Sequence, residues 1–301
     1  MILATGITGF SGKYFLQELI DNKFEDSIRC IVRNTSDTSL LDNSGLNVDK
    51  LVGDLNDQKL IEEATIGVDT VLHIGSIFYS VNVIKACVKN GVKRAILVHT
   101  TGIYSKFKNA SQEYKEIERQ ITETISDSKV ITKVTILRPT MIYGDICDRN
   151  ISKFIKMIDM FRVFPVINWG QNYVQPVNAR DLGKAYFDVL MAPEKTVGKS
   201  YDLSGEKPLR MIEILNSISE NLRKKTLFIN VPLSIGVFLA KAAKTLTFGK
   251  IDYIEKVQRM GEDRSYSHEK ALMDFNYKPI RFEDGIKIEV KQYQIKKSET
   301  E

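Results

Sequence analysis

The chain has 301 residues, of which 43% are hydrophobic and 27% charged, as in an ordinary globular protein. Its 43 basic and 38 acidic residues leave a formal charge of +5, which is too small for this length to favour a nucleic-acid partner. Short basic runs such as 223–225 are interpreted as solvated surface. The longest apolar candidate, 228–248, contains Pro232, Lys241 and Lys244, so it predicts an amphipathic helix rather than a membrane span. We therefore expect neither a nucleic acid nor a membrane as a partner.

The three cysteines are scattered and show no metal-ligand spacing. Cys30 lies in a predicted strand and Cys87 in a predicted helix, so both are expected to be buried thiols, as in a reducing compartment. Cys147 follows later. The first predicted strand starts at the beginning of the chain, which leaves no room for a signal peptide. We expect a cytoplasmic protein without a metal site.

Strand-like and helix-like segments alternate through the first half, which is typical of a parallel sheet covered on both faces. The predicted strands are 2–4, 28–32, 48–52, 70–74, 94–98 and 134–137. The predicted helices between them are 14–20, 57–64, 81–89 and 111–126. This order predicts an α/β fold with a doubly wound, Rossmann-type parallel sheet.

Beyond about Gly144 the pattern changes to helices separated by short extended pieces. The predicted helices are 153–161, 179–191, 208–222, 233–246 and 282–293, with short strands at 175–177 and 199–203. We predict a nucleotide-binding domain over 1–147, to which 174–205 returns. A smaller substrate lobe is expected over 148–173 and 206–301, with the ligand between the two.

A glycine-rich turn follows the first predicted strand and opens the first predicted helix. Gly6 permits a tight turn, Gly9 lets the backbone approach a diphosphate, and Gly12 lets the helix pack closely on its strand. The helix N-terminus then offers amide groups and a positive dipole end to the phosphates. The pattern favours a dinucleotide site; the alternative is a structural turn that binds nothing.

Further landmarks follow this turn in a fixed order: Arg33 after the second strand, then 53–55, 71–75 and 137–144. Two later pieces, 175–185 and 275–285, continue it. In this order the chain resembles the extended (or atypical) short-chain dehydrogenase/reductase superfamily, and within it the NAD(P)-dependent epimerase/dehydratase-like proteins, nearly end to end.

The resemblance implies a role for each of these segments. The glycine turn would hold the pyrophosphate, 54–55 would flank the adenine, and 75–76 and 139–142 would line the nicotinamide. The implied coenzyme residues are Gly6, Thr8, Gly9, Phe10, Ser11, Gly12, Asp54, Leu55, Gly75, Ser76, Pro139, Thr140, Met141 and Ile142. Thr100 would hydrogen-bond the reacting oxygen.

The residue after the second strand distinguishes the two nicotinamide coenzymes. An acidic residue there binds the ribose hydroxyls of NAD, whereas an arginine accommodates the additional phosphate of NADP. Arg33 follows the strand, and its guanidinium suits a phosphate. The alternative is that Arg33 only stacks on the adenine or is a solvated surface residue. The sequence favours NADP, and NAD stays open because Asp37 is close.

The catalytic Tyr-x-x-x-Lys pattern of the superfamily is not intact. If Lys115 is the ribose-binding lysine, Ser111 stands in the tyrosine position; if Tyr114 is the tyrosine, Glu118 replaces the lysine. These four positions have the spacing of one helix face, so Tyr114 is retained as the acid/base candidate beside Lys115. The alternative is that Lys115 only binds ribose and Tyr114 is a surface or interface residue.

Other polar residues are interpreted as structural. His73 ends the fourth strand, and strand alternation points His99 away from Thr100. Arg138 and Arg180 flank the predicted cleft; each is expected to pair with an acid such as Asp181, the alternative being that it holds a substrate phosphate or carboxylate. Trp169 is expected either to cover the substrate or to anchor a loop.

The function implied is that of an NAD(P)-dependent oxidoreductase or epimerase that transfers hydride at a hydroxyl or carbonyl, with a nucleotide sugar as one candidate substrate. The alternative is a non-catalytic NAD(P)-binding sensor or assembly protein. A homodimer through the helices around Ser111 and Phe187 is one option.

Overall fold

The computed structural model describes residues 1–107, 109–250 and 252–299. Its strands are β1 (Ile2–Thr5), β2 (Ile28–Val32), β3 (Val48–Val52), β4 (Thr70–His73), β5 (Arg94–Val98), β6 (Lys133–Pro139), β7 (Ile142–Tyr143), β8 (Val163–Ile167), β9 (Tyr173–Val174), β10 (Val177–Asn178), β11 (Ser200–Leu203), β12 (Leu209–Arg210) and β13 (Leu227–Val231). Its helices are α1 (Gly12–Asp21), α2 (Ser39–Asp42), α3 (Gln58–Ala64), α4 (Ser80–Lys89), α5 (Ser111–Thr124), α6 (Ile151–Met160), α7 (Ala179–Met191), α8 (Pro193–Thr196), α9 (Met211–Asn221), α10 (Leu233–Leu246), α11 (Ile254–Met260), α12 (Glu269–Phe275) and α13 (Phe282–Ser298).

Seven parallel strands form the central sheet in the order β11-β6-β5-β4-β1-β2-β3. The order reverses beside β1, so the carboxyl ends of β1 and β4 open a crevice where this fold binds its ligands. The predicted α/β, doubly wound Rossmann-type fold is confirmed. Strand β11 is an edge strand that comes from the second half of the chain.

Each face of the sheet is covered by helices. Phe15 and Leu19 of α1 pack with Leu182 and Tyr186 of α7 on one face. Helices α3, α4 and α5 cover the other face. Gly183 lets the first pair approach closely, because a Cβ there would lie 2.5 Å from the carbonyl carbon of Tyr14.

The C-terminal part has its own apolar core between α6, α9, α13 and β8. Three two-stranded sheets lie outside the central one: β10 with β7, β12 with β9, and β13 with β8. The prediction of a helix over 208–222 was wrong at its start, because Leu209 and Arg210 pair with β9 and the helix begins at Met211. Such short strands are stabilised by partners far along the chain, which local periodicity does not reveal.

Cys30 and Cys87 are buried free thiols, as predicted, and Cys147 is exposed. Burial raises the pKa of Cys30 and of Cys87 to about 12. Within the described ranges, no helix has the length and apolar content needed to cross a membrane.

Candidate active site

The glycine turn between β1 and α1 is folded tightly on itself. Gly6 has φ +75°, and a Cβ on it would lie 2.8 Å from the amide nitrogen of Gly75 at the end of β4. A Cβ on Gly12 would collide with the carbonyl oxygen of Gly6. The turn therefore requires glycine where the resemblance placed it.

Two amides of this turn are left without an internal acceptor. Gly9 donates its amide to the Gly6 carbonyl over 2.9 Å, whereas no acceptor for the amides of Phe10 and Ser11 occurs in the described part of the chain. Free amides at the N-terminus of a ten-residue helix suit a diphosphate. The residues present thus fit the coenzyme that the sequence implies.

A cleft with a volume of about 720 Å³ opens beside the glycine turn, within the range of small-molecule sites. Its walls come from the glycine turn and α1, the end of β5, the β6–β7 segment, the loop before α6, and the chain after α11. The lining residues are Thr8, Gly9, Phe10, Lys13, Thr100, Thr101, Gly102, Ser105, Thr140, Met141, Ile142, Cys147, Asp148, Arg149, Asn150, Val174, Gln175, Arg259, Arg264 and Tyr266.

Part of the sequence-predicted set is brought together here. The predicted residues that line the cleft are Thr8, Gly9, Phe10, Thr100, Thr140, Met141 and Ile142. Gly6, Ser11 and Gly12 form the turn itself, with Gly75 against Gly6. The hydroxyl oxygen of Thr100 accepts from the Gly102 amide over 3.0 Å, which fixes it at the end of β5.

The other predicted coenzyme residues lie outside the cleft. Arg33 is exposed at the end of β2, and the Asp54 carboxylate accepts from the Asn56 amide over 2.8 Å. Leu55 lies against Gly75, and Ser76 is exposed. Pro139 is buried, with its carbonyl accepting from Thr101 Oγ1 over 3.2 Å.

Tyr114 and Lys115 diverge on α5. Tyr114 is only 8% exposed and packs in the core, with its ring 5.7 Å from that of Phe78. Burial raises the pKa of its phenol. Lys115 is exposed, because Ser111, Tyr114 and Ile117 make the buried face of the helix. Neither Tyr114 nor Lys115 lines the cleft.

Glu118 belongs to a buried ionic network beneath the cleft. It accepts from Arg138 Nε over 2.9 Å and lies 3.0 Å from His99 Nδ1. Burial alone would raise the pKa of Glu118, but hydrogen bonds from His99 and Arg138 hold it at about 2. The network joins β6 and α5 to the residue that follows β5, and His99, whose Nε2 lies 3.1 Å from Ser80 Oγ, is not among the residues that line the cleft.

His73 uses both ring nitrogens within the sheet. Nδ1 lies 2.6 Å from Thr5 Oγ1 and Nε2 lies 3.0 Å from the carbonyl of Ser76. Complete burial lowers the pKa of His73 to about 4, so the ring is neutral. It therefore fixes the ends of β1 and β4.

Two arginines that the sequence did not single out face the cleft. The Nε atoms of Arg259 and Arg264 are buried without a hydrogen-bond partner among the described residues. Burial, together with the charge of Arg259, lowers the pKa of Arg264 to about 10, at which it is still charged at neutral pH. Arg259 also lies 3.9 Å from the Glu255 carboxylate. A buried N–H without an acceptor is costly, so the two Nε groups make this wall suit an anionic ligand.

The segment that carries these arginines is fixed to the rest of the site. The Glu262 carboxylate accepts from Ser105 Oγ over 2.7 Å and from the Lys106 amide over 2.8 Å. The Arg264 amide donates to the carbonyl of Tyr173 over 2.7 Å. The segment 255–266 has no clear periodicity in its sequence. The presence of two arginines in it is the one signal that could have suggested an anion-binding role.

Tyr266 is a further phenol on the cleft wall. Its ring lies 5.2 Å from that of Tyr104, and burial raises its pKa. Tyr104 itself donates its hydroxyl to Asp202. The Tyr266 hydroxyl has no hydrogen-bond partner within the described ranges, so it is available to a ligand.

The loop before α6 is supported by a buried acid from α13. Glu289 is fully buried and accepts from the Gly144 amide over 2.8 Å. Burial, and next the hydrogen bond and charge of Asp148, raise the pKa of Glu289 far above its ordinary range. This shift favours the protonated form of Glu289 at neutral pH, and the neighbouring Asp148 lines the cleft. Within the described ranges, no group of His, Cys, Asp and Glu side chains has the geometry of a metal site.

Comparison with known proteins identifies relatives of the chain. Residues 6–151 match the family described as NAD(P)H-binding. The chain is 25% identical over 218 residues to N-acetyl-alpha-D-glucosaminyl-diphospho-ditrans,octacis-undecaprenol 4-epimerase of Escherichia coli O157:H7, covering 62% of this chain and 64% of that protein. This match thus spans a little less than two thirds of that relative.

Two further matches extend over the whole length. The chain is 22% identical to 2-alkyl-3-oxoalkanoate reductase of Stenotrophomonas maltophilia (strain K279a), covering 95% of this chain and 97% of that protein. The structure of DesIV, a dTDP-glucose 4,6-dehydratase from Streptomyces venezuelae with NAD and TYD bound, superposes with a TM-score of 0.74 at 17% identity, covering 99% and 98% of the two chains.

Proposed function

We propose that this chain, which carries an NAD(P)H-binding domain, is an NAD(P)-dependent enzyme. Its fold is that of the extended short-chain dehydrogenases/reductases of the epimerase/dehydratase type, as the resemblance in the sequence indicated. It transfers hydride at a hydroxyl or carbonyl of a small anionic substrate, for which a nucleotide sugar is the first candidate. One observation carries the proposal: a single cleft has free amides on one wall and, on another, two arginines whose Nε atoms have no hydrogen-bond partner among the described residues.

The coenzyme would lie across the carboxyl ends of β1 and β4. The amides of Phe10 and Ser11 would hold its diphosphate, and Thr140, Met141 and Ile142 would line its nicotinamide end. The nicotinamide supplies or accepts the hydride. The Thr100 hydroxyl would then bind the substrate oxygen and keep it oriented.

The contacts after β2 favour NADP over NAD. The Asp37 carboxylate already accepts from the amide and the hydroxyl of Ser39, at 3.0 and 2.6 Å. Arg33 is exposed, and its side chain has no carboxylate partner in the described part of the chain. The guanidinium is therefore free for a ribose phosphate, whereas the nearby acid is engaged.

The substrate would present a phosphate or diphosphate to Arg259 and Arg264. Two neighbouring, partly desolvated guanidiniums can each bind such oxygens bidentately. The name of the epimerase relative contains a sugar linked to a diphosphate, and the name of the DesIV structure contains glucose linked to dTDP. This supports a sugar linked to a diphosphate as the substrate class.

The acid/base group of the proposed reaction is Tyr266 rather than Tyr114. The Tyr266 phenol borders the cleft without a partner, whereas Tyr114 is packed in the core. Burial keeps the Tyr266 phenol protonated, so it can donate a proton to a carbonyl oxygen.

The test is turnover with NADP or NADPH and a panel of UDP- and dTDP-linked sugars. Tyr266→Phe should lower kcat strongly with little change in coenzyme affinity, and Tyr114→Phe should lower stability rather than kcat. Arg264→Gln should raise KM roughly tenfold or more, and Arg264→Lys should restore part of the loss. Arg162→Gln, which changes an exposed arginine outside the cleft, is the matched control.

One observation favours a second candidate function, a coenzyme-binding sensor: the residues at the Tyr-x-x-x-Lys positions, Ser111 and Lys115, do not line the cleft. This alternative is preferred if the coenzyme binds tightly while no substrate of the panel turns over and Tyr266→Phe changes nothing.

A further inference from the structure

One stretch accounts for the net positive charge of the chain. Residues 223–250 contain six cations and no carboxylate, so the remainder of the chain has a formal charge of −1. The same stretch contains the most exposed large apolar side chains of the described residues, Phe248 and Leu246. We propose that β8, β13 and α10 form a lipid-facing surface that rests on an anionic membrane. This surface lies outside the proposed cleft.

Helix α10 turns its apolar stripe outward. Ile235, Phe238, Leu239 and Leu246 follow a spacing that places them on one helix face, and all are exposed, Phe238 by 69% and Leu246 by 79%. Only Gly236 and Ala240 of this helix are buried. A helix of a soluble protein normally shows the opposite arrangement, with its apolar stripe toward the core.

The small parallel sheet of β8 and β13 continues this apolar surface. Phe164 and Val166 face the core, so the alternate residues point outward: Val163, Pro165, Leu227 and Ile229, which pair as neighbours across the two strands.

Contacts at the strand ends show that helix and sheet share one side. Ile167 and Val231 belong to the same outer set of the sheet. A Cβ on Gly236 of α10 would lie 2.7 Å from Ile167 Cδ1 and 3.8 Å from Val231 Cγ1. Helix α10 therefore lies on the outer face of the sheet, beside its exposed apolar side chains.

The cations around this surface indicate which occupant it suits. Lys244 pairs with Asp252 and Lys224 with Asp159. Lys241, Lys250 and Lys225 have no carboxylate partner within the described ranges. Anionic headgroups would complement these charges, and an apolar face flanked by lysines is the pattern of an interfacial helix.

A second copy of the chain is a poorer occupant. An isologous dimer through this face would bring two cationic stretches together, and like charges repel across an interface. Surface contact with lipid also differs from membrane spanning, for which α10 is too short and contains Lys241 and Lys244.

Trp169 stands at the edge of the surface. It follows β8 and is 59% exposed. It does not line the cleft, although the sequence allowed it a role in covering the substrate. Its neighbour Asn168 accepts from the Leu233 amide at the start of α10 over 3.0 Å. An exposed indole at this position suits the headgroup level of a bilayer.

The test uses the full-length protein and vesicles. Because Trp169 is the only tryptophan of the chain, its emission reports this surface alone. Vesicles of phosphatidylcholine with phosphatidylglycerol should shift the emission to the blue and carry the protein in co-sedimentation, whereas phosphatidylcholine alone should not. High salt should weaken the binding.

Paired variants separate apolar from ionic contributions. Phe238→Ser with Leu239→Ser should abolish co-sedimentation, and Lys241→Glu should weaken it roughly fivefold or more. The controls are Ile66→Ser and Lys129→Glu, which change exposed residues elsewhere and should bind as the parent protein does. Circular dichroism checks that each variant is folded.

Two outcomes overturn the proposal. One is equal or absent binding to anionic and neutral vesicles. The other is a dimer in sedimentation velocity that the Phe238→Ser, Leu239→Ser variant converts to monomer, since this face would then be covered by a second copy.

Discussion

The ammonium of Lys13 and the carboxylate of Asp145 lie 2.6 Å apart and join the first turn of α1 to the loop after β7. Tyr14 donates its hydroxyl to the same carboxylate oxygen over 3.1 Å. The acid thus neutralises a cation that lines the cleft beside the glycine turn.

Asp145→Asn should lower the free energy of unfolding by about 1–2 kcal/mol, because a partly buried, charge-assisted bond is lost. Affinity for the anionic coenzyme should rise, since Lys13 is no longer neutralised. Urea unfolding and fluorescence titration measure the two effects. Asp188→Asn, which removes an exposed pair with Lys184, should change both very little; an equal effect would contradict the assignment.

Arg33→Ala should weaken NADPH binding roughly tenfold or more while leaving NADH binding unchanged, because only NADPH has a phosphate for the guanidinium. Isothermal titration with each coenzyme measures the difference. Lys59→Ala, an exposed cation on α3, serves as the control. Equal losses for the two coenzymes would show that Arg33 does not read the phosphate.

Gly183→Ala should destabilise the protein by about 1–3 kcal/mol, because the added methyl meets the backbone of Tyr14 and Phe15 at 2.5–2.7 Å. Displacement of α1 should also weaken coenzyme binding, since this helix carries the glycine turn at its start. Thermal unfolding with and without coenzyme measures both. Lys184→Ala, the next residue of α7 and exposed, should leave binding intact; unchanged stability of Gly183→Ala would mean that the helices can separate freely.

Asp181 should make stability fall as pH rises. Burial raises the pKa of Asp181 from 3.8 to about 7, so between these values the folded protein binds more protons than the unfolded chain. The free energy of unfolding should decrease over this window by at most about 1.4 kcal/mol per pH unit from this group. Asp181→Asn should remove that part of the slope in denaturant unfolding, while Asp127→Asn, an exposed acid, should retain it.

The first half of the fold was predictable because its signals are local. Strands β2, β3 and β5 have the predicted bounds. Each contains β-branched or other apolar residues, and a glycine or polar residue follows its last valine. The glycine turn was recognisable because Gly6 and Gly12 meet steric limits that no other residue satisfies.

The other wall of the cleft was not predictable in this way. Arg264 reaches the site through a bridge to Val174, ninety residues earlier, and such pairing leaves no periodic trace in the sequence. On α5, helical spacing placed Tyr114 and Lys115 together, but the packing of Ile117 and Ile121 turned one inward and the other outward. Rotation of a helix is decided by its tertiary partners.

The strand at the edge of the central sheet has a consequence for dissecting the molecule. The family match ends at residue 151. Strand β11, which pairs with β6, and helix α7, which covers α1, both come later in the chain. A fragment that ends there would expose the unpaired hydrogen-bonding edge of β6 and the apolar face of α1 that carries Phe15 and Leu19. Such a fragment is prone to self-association, so coenzyme studies require a polypeptide that continues past β11.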